Sequence, residues 1–376
     1  MMITLIINFL SLLTVMGLGH PSAENSTISV SEVFRKEFLV GAALNGRDVM
    51  GKDPKVRATL SRHFSSISPE NLLKWQSVHP RPEQYNFSLA DEYVALGADL
   101  NAFVLGHTLV WHNQTPGWVF RDEANEPIEA ATLNQRMKEH ILTVVGRYSG
   151  KIHGWDVVNE AFTDQGEYRS SPWFNSLGKE FIATAFETAH QADPAAELYY
   201  NDYNLWKPAK IDAALRMASE LQEQGIRIDG IGMQGHYGLE SPSLAEIEAS
   251  IQKIADQGLK VMITELDIDV LPNPTNRRGA DIDDNFQYED QFNPYKNGLP
   301  EDLRIKLAQR YADLFELFGK HQEVVTRVTL WGIRDQDSWL NNWPIRGRTA
   351  YPLLFEEDYS LKKEIEQMLE TLSRGL

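Results

Sequence analysis

The chain has 376 residues, of which 42% are hydrophobic and 24% are charged, so it can bury a sizeable core beneath an ordinary polar surface. The net charge of −17 argues against a nucleic-acid partner, because phosphate backbones are bound by clusters of Lys and Arg. The absence of cysteine excludes disulfides, thiolate catalysis and cysteine-ligated metals. Its length suits either two domains or one large α/β barrel.

An apolar run from Ile3 to Gly19 opens the chain and is followed by a short polar stretch. Small residues at positions 17, 19 and 23 suit signal-peptidase cleavage, so we predict a signal peptide over 1–23 and a secreted, periplasmic or extracellular protein. The run lacks Lys and Arg before it, and a single-pass anchor is the alternative, although the run is short for a span. Residues 24–31 are predicted to form a short linker.

From Val33 onward, short apolar runs alternate with longer amphipathic segments. Short, continuously apolar runs are typical of strands buried on both faces. The eight predicted strands are Phe38–Ala43, Phe64–Ile67, Ala102–Leu105, Ile152–Val158, Glu197–Tyr200, Ile228–Met233, Lys260–Thr264 and Arg327–Leu330.

The segments between these strands carry helical patterns. Thr132–Val145 has apolar residues close to a 3.6-residue period, and Ser243–Gln257 opens with Ser243 and Glu246 at capping-box spacing. A further helix is predicted over Leu361–Leu372. Eight strands alternating with helices favour a single α/β domain, a (β/α)8 TIM barrel over 32–376, rather than a doubly wound sheet.

The segment Val270–Pro300 interrupts this alternation, because it has no helical period and repeatedly carries Pro and Asn. A stretch of this length without structure is typical of a functional loop or an insertion, and we expect it over the face that carries the active site of such barrels. A calcium site at Asp281, Asp283 and Asp284 is conceivable, but the EF-hand spacing is missing, so a solvated acidic loop is the preferred interpretation.

Polar side chains follow every predicted strand, at the carboxyl ends where this fold builds its sites. They are Asn45, Glu70, Asn71, His107, Asn159, Glu160, Asn201, Tyr203, Gln234, His236, Glu265 and Asp267, with Trp331 after the eighth strand. Glu160 and Glu265 each follow an apolar strand directly, and a pair of carboxyl groups is what cleavage of a glycosidic bond requires. Tryptophans at 75, 111, 118, 331 and 339 suit stacking on sugar rings, whereas Trp155 and Trp173 are expected to be core.

These motifs together resemble the signature segments of glycoside hydrolase family 10, the endo-β-1,4-xylanases, in the family's order from about Val33 to Phe355. They are SPENLLKW from Ser68, GHTLVWH from Gly106, WDVVNEA from Trp155, NDYN from Asn201, QGH from Gln234 and ITELD from Ile263. The resemblance implies endo-acting, retaining hydrolysis of xylan through a covalent glycosyl-enzyme intermediate. Glu160 would be the acid/base and Glu265 the nucleophile, with the two carboxyl groups roughly 5–5.5 Å apart.

The resemblance also implies roles for other residues. His236, Asp267 and Asn159 would support catalysis, the first two by holding the nucleophile and the third by binding the sugar 2-hydroxyl. Predicted substrate-binding residues are Asn45, Glu70, Asn71, Lys74, His107, Trp111, Gln114, Asn201, Tyr203, Gln234, Trp331 and Trp339. The last two would roof the site and exclude a hydroxymethyl group, which favours xylose over glucose. The loop at 270–300 leaves the reach of the distal subsites open.

Three alternatives compete with this reading. A metal-dependent hydrolase could use His107, His112 and His236 with the carboxylates, but no His-x-His or HExxH spacing is present, so we expect no metal and no cofactor. A non-catalytic saccharide-binding barrel would have lost one glutamate, and both are present. The same machinery could act on β-1,4-glucan or as a transglycosylase.

The predicted partners are xylan and xylo-oligosaccharides, with no membrane association after signal cleavage, and we expect a monomer.

Overall fold

The computed structural model describes residues 28–51, 53–274, 282 and 284–375. The predicted signal peptide and the first half of the predicted linker lie outside these ranges, as do Asp281 and Asp283 of the conceivable calcium site. Within the described ranges, no helix combines the length and the apolar character that crossing a bilayer requires.

The sheet is a closed barrel of parallel strands. The strands are β1 Leu39–Leu44, β2 Ser66–Pro69, β3 Phe103–Val110, β4 Gly154–Asn159, β5 Glu197–Asp202, β6 Gly230–Met233, β7 His236–Gly238, β8 Lys260–Asp269 and β9 Val325–Leu330. Strands β1 to β6 pair in sequence order, β6 pairs with β8, and β9 joins β8 to β1, which closes eight strands. The short β7 adds to β8 beyond the end of β6. The (β/α)8 barrel is therefore confirmed.

Helices surround the barrel. They are α1 Val30–Val33, α2 Gly46–Val49, α3 Pro54–His63, α4 Trp75–Val78, α5 Ser88–Asp99, α6 Ala130–Arg147, α7 Pro172–Leu177, α8 Glu180–Ala192, α9 Pro208–Glu223, α10 Leu244–Asp256, α11 Glu301–Lys320 and α12 Lys363–Gly375, with short 3-10 turns at Gly117–Val119, Asp290–Phe292, Asp335–Asp337 and Trp339–Asn341. The predicted helices correspond to α6, α10 and α12. The capping box at α10 is present, since Glu246 N–H donates to Ser243 and the Glu246 carboxylate accepts from Ser243 N–H.

The packed structure begins earlier than the predicted linker boundary at residue 31. Ser29 caps α1, and Val30 is fully buried against the core. A single apolar residue, Val30, in a polar stretch forms no periodic pattern, so this turn was predicted to belong to the linker.

Two strands extend five residues beyond their predicted ends. β3 continues past His107 to Val110, and β8 continues past Glu265 and Asp267 to Asp269. The pairing register of β8 with β9 shifts between Ile263 and Leu266, the position of Glu265. A shift in register changes the direction in which side chains point. Polar residues that the sequence placed after the end of a strand therefore lie within the strand and still point into the site.

Candidate active site

Glu160 directly follows β4 and is 4% exposed. Its Oε1 accepts hydrogen bonds from Gln234 Nε2 at 2.9 Å and Asn159 Nδ2 at 3.2 Å, and its Oε2 accepts from Trp111 Nε1 at 2.9 Å. Burial raises the pKa of Glu160, and the negative charge of Glu265 raises it further, against the opposing effect of the hydrogen bonds. Glu160 is therefore suited to hold a proton.

Glu265 lies in β8 and is 5% exposed. Its Oε1 accepts from Asn201 Nδ2 at 2.8 Å, and its Oε2 lies 3.3 Å from His236 Nε2. Burial by itself would raise the pKa of Glu265, but the bond from His236 and the charges of His107, His236 and Lys74 together lower it below its ordinary value. Glu265 is therefore ionised at neutral pH, as a nucleophile must be.

His236 links two carboxylates. Its Nδ1 lies 3.0 Å from Asp267 Oδ1 while its Nε2 faces Glu265, and the indole N–H of Trp339 donates to Asp267 Oδ2 at 2.8 Å. Burial opposes a charge on His236, but Asp267 and Glu265 overcome it and raise the pKa of His236 to about 10. The ring is held as an imidazolium that donates to both carboxylates.

Side-chain amides connect the surroundings of the two glutamates. Asn159 Oδ1 accepts from Asn201 Nδ2 at 3.0 Å and from Gln234 Nε2 at 3.3 Å, and Thr264 Oγ1 donates to Asn201 Oδ1 at 2.6 Å. Because Thr264 occupies the oxygen of Asn201, the amide of Asn201 is fixed with its nitrogen toward the carboxylate. One continuous network therefore orients both glutamates.

The turn between β6 and β7 brings Gln234 and His236 to the same end of the barrel. Gly235 between them has φ +87, and a Cβ on it would lie 2.9 Å from Ile263 Cγ2. Only glycine adopts this conformation readily, so it allows the chain to leave β6 and resume as β7 with both side chains at the site.

A polar cluster lies beside the carboxylates on the side of β2 and β3. Asn71 Oδ1 accepts from Lys74 Nζ at 3.0 Å and from Gln114 Nε2 at 3.1 Å, while Asn71 Nδ2 donates to Glu70 at 3.1 Å. Burial lowers the pKa of Lys74 against the pull of neighbouring carboxylates, and its Nζ lies 4.7 Å from the Trp111 ring centroid. The cluster presents donors and acceptors suited to sugar hydroxyls.

Three more predicted residues complete this side. His107 Nδ1 lies 2.9 Å from Asp156 Oδ2, and the ring meets Trp331 edge-on at 5.5 Å between centroids. Trp331 also meets His236 edge-on. Asn45 caps α2 by accepting from two backbone N–H groups of its first turn.

A cleft of about 910 Å³ lies beside the catalytic carboxyl groups and is lined by His236 and Asp267. Its lining also includes Tyr203, Arg169, Lys207, Trp339 and Phe286. Residues 271–274, 284 and 286 of the loop after β8 contribute to it. The loop therefore borders the cleft, as expected from the sequence.

Several residues predicted to bind substrate contact other side chains of the site. Asn201 is fully buried, and its side chain contacts Glu265 and Asn159. The polar atoms of Trp111 and Gln234 that face the site bond Glu160. Trp75, counted among the cleft aromatics, is 2% exposed and stacks on the ring of His140 at 3.7 Å. Trp155 and Trp173 are core, as expected.

Three residues of the site carried no interpretable sequence pattern. Asp156 lies in the interior of β4 and contacts His107, Thr264 precedes Glu265, and Arg169 lies in the loop after β4. Asp156 and Thr264 are far in sequence from their partners and are brought to them by the packing of the strands, whereas Arg169 reaches Glu160 from a loop. Among the described residues, no group of three His, Asp or Glu has an arrangement that could hold a metal ion.

A closed parallel barrel with two buried glutamates at the carboxyl ends of strands, set in a polar and aromatic cleft, defines the class of barrel glycoside hydrolases. The profile of Glycosyl hydrolase family 10 matches residues 29–371, and the chain belongs to that family.

Relatives of known activity cover nearly the whole chain. An endo-1,4-beta-xylanase A of Xylanibacter ruminicola is 43% identical over 91% of this chain and 92% of its own length. A family 10 endoxylanase from a sugarcane soil metagenome superposes with a TM-score of 0.88 at 41% identity, over 91% of this chain and all of the other. A further structure, a mutant in complex with xylotriose, has a TM-score of 0.81 at 34% identity, over 92% and 100% of the two chains.

Proposed function

We propose that this protein is an endo-acting, retaining β-1,4-xylanase. The observation that carries the proposal is the contrast between two buried glutamates in one network, with the pKa of Glu160 raised and that of Glu265 lowered. Opposite ionisation of neighbouring carboxyl groups assigns one as acid and the other as nucleophile. The xylanase activity of the relative and the xylotriose bound to the similar structure support xylan as the substrate.

In the first step, ionised Glu265 attacks the anomeric carbon of the sugar at the cleavage point. The bond to the leaving oxygen breaks, and Glu160 transfers its proton to that oxygen. Asn201 and His236 hold the attacking carboxylate, so little reorganisation is needed as its charge moves to the bond.

In the second step, water enters on the leaving-group side. Glu160, now ionised, takes a proton from the water as the oxygen attacks the anomeric carbon, and the bond to Glu265 breaks. The first step removes the charge of Glu265, which had helped to raise the pKa of Glu160. The pKa of Glu160 therefore falls after the first step, so Glu160 ionises more readily and is available to act as the base.

Preference for xylose is attributed to Trp331 and Trp339. Trp339 packs on His236 at 4.8 Å between centroids and is fixed by its bond to Asp267, and Trp331 packs edge-on against His107 and His236. Two fixed indoles beside the nucleophile leave little freedom to admit a hydroxymethyl group.

The first test is a product profile on purified β-1,4-xylan with proton NMR of the new reducing ends. Early release of mixed oligosaccharides as the β-anomer is expected. Release of the α-anomer would mean inversion and would remove Glu265 from the role of nucleophile. Activity that a chelator abolishes and zinc restores would point to the metal-dependent alternative.

Two variants test the individual roles. Glu265→Ala should abolish turnover on every substrate, whereas Glu160→Ala should mainly slow substrates with poor leaving groups, because a good leaving group needs little protonation. Equal losses on good and poor leaving groups in Glu160→Ala would contradict its assignment as the acid/base.

We further propose that the protein is secreted after cleavage near residues 19–23 and acts as a monomer. The apolar run followed by small residues supports cleavage. Amino-terminal sequencing of the protein recovered outside the cytoplasm tests the site, and retention of the run in a membrane fraction would favour the anchor. Light scattering tests the monomer.

A further inference from the structure

The backbone of Glu160 has an unusual conformation. Its φ is +58, in the left-handed region that side chains other than glycine rarely occupy. Its N–H donates to Asn201 O at 2.9 Å, and the next N–H, of Ala161, donates to Tyr200 Oη at 3.0 Å. A conformation of this kind persists only when its surroundings enforce it, and it directs the carboxyl group into the site.

Arg169 provides the contact on the carbonyl side of Glu160. Its Nε donates to Glu160 O at 3.2 Å, and its backbone N–H donates to Ala161 O at 2.7 Å. The same guanidinium donates through Nη2 to Tyr203 Oη at 2.6 Å, and both Arg169 and Tyr203 line the cleft. A planar group with fixed donor directions can hold two acceptors in a set relation, which lysine cannot do.

We propose that Arg169 is a positioning residue that fixes the proton-donating carboxyl group of Glu160 relative to Tyr203 in the lining of the cleft. The inference rests on the proposed role of Glu160. Through Arg169, the position of the proton donor is coupled to the position of Tyr203. Its loss displaces the acid, and not the nucleophile, whose contacts are with Asn201 and His236.

Arg169 also acts through its charge. Burial raises the pKa of Glu160, and the guanidinium opposes this by favouring the carboxylate. The charged and titratable groups around Glu160 are Glu265, Lys74, Asp202, Tyr200 and Arg169. Removal of Arg169 alone therefore raises the pKa of Glu160 further, and the alkaline limb of kcat/KM moves to higher pH, because the acid stays protonated longer.

The experiment compares Arg169→Gln, Arg169→Lys and Glu160→Ala on aryl xylobiosides whose leaving groups span a wide range of acidity. Arg169→Gln should lose about 10²-fold in kcat/KM on the poorest leaving group, the scale of a small misplacement, and only a few-fold on the best. Arg169→Lys should show part of this dependence but keep the wild-type alkaline limb, because it keeps the charge.

The matched control is Arg227→Gln. Arg227 also donates to a loop carbonyl, that of Pro194, and pairs with Asp229. It lies before the amino end of β6, at the end of the barrel opposite the site. Arg227→Gln should change the melting temperature, and any change in kcat/KM should be the same for all leaving groups. If Arg169→Gln does not fold, Arg169→Lys still tests the geometric part of the proposal.

The outcomes separate the inference from the proposed function. Uniform losses on all leaving groups in both Arg169 variants, with the alkaline limb unmoved, would overturn the positioning role while Glu160→Ala still shows its leaving-group dependence. If Glu160→Ala itself shows no such dependence, the acid/base assignment fails and the inference fails with it.

Discussion

Replacing Asp267 by Asn tests the charge arrangement around Glu265, the proposed nucleophile. Asp267 is 1% exposed, and its two oxygens contact His236 Nδ1 at 3.0 Å and Trp339 Nε1 at 2.8 Å. Asparagine keeps the size of the Asp267 side chain but removes its charge. One of its two polar atoms is a nitrogen, which would face a hydrogen-bond donor, either His236 or Trp339. We expect the pKa of His236 to fall and the imidazole to lose its charge near neutral pH.

The magnitude follows from His236. Its pKa is raised from the model-compound value of 6.5 to about 10, which corresponds to on the order of 5 kcal/mol in favour of the imidazolium in the folded protein. Breaking a buried ion pair typically costs about 3–5 kcal/mol. Because the folded-state pKa is the higher one, this stabilisation is complete below pH 6.5 and is lost as the pH rises to about 10.

The assay is urea unfolding followed by tryptophan fluorescence at several pH values from 5.5 to 10. The free energy of unfolding of the wild type should fall across the upper part of this range. That of Asp267→Asn should be several kcal/mol lower at pH 5.5 and should fall much less as the pH rises. Asp91→Asn is the control, since Asp91 pairs with Arg147 at the surface and should contribute about 0–1 kcal/mol. If the free energy of unfolding changed with pH by the same amount in the wild type and in Asp267→Asn, the reasoning would be refuted.

Three further predictions follow from named contacts. Asn201→Ala removes a hydrogen bond to ionised Glu265 and should lower kcat about 10- to 100-fold whatever the leaving group; a loss confined to poor leaving groups would contradict this. Trp339→Ala should raise the rate on aryl cellobioside relative to aryl xylobioside, and an unchanged ratio would refute the role of Trp339 in excluding glucose. Gly106→Ala places a Cβ 2.1 Å from the Trp155 ring and should destabilise the fold by about 1–3 kcal/mol, measurable by urea unfolding.

Local patterns were sufficient to predict the architecture. The short apolar runs became the eight barrel strands, with each start predicted to within two residues, and Ser243 with Glu246 marked the start of α10. Such features depend on neighbours in sequence, since burial on both faces and helix capping act over a few residues. The same logic placed Glu160 and Glu265 at strand ends, where the fold concentrates functional groups.

Other features depend on contacts between distant parts of the chain. Asn201 and Glu265 are 64 residues apart, and Gln234 and Glu160 are 74 apart, so only barrel closure shows that these amides serve the carboxylates. The sequence predicted Asn201 as a substrate-binding residue, and only the structure shows its contacts with Glu265 and Asn159, because nothing local distinguishes a polar strand end that faces a sugar from one that faces another side chain.

The sequence by itself determined which residues could act: two glutamates, a histidine and the polar strand ends of a barrel. The tertiary structure decided how they differ. The pKa of Glu160 is raised and that of Glu265 is lowered because His236, Lys74 and His107 act on one carboxylate and burial dominates at the other. Charge and burial act through space, so neither could be read from residues that are close only after the chain has folded.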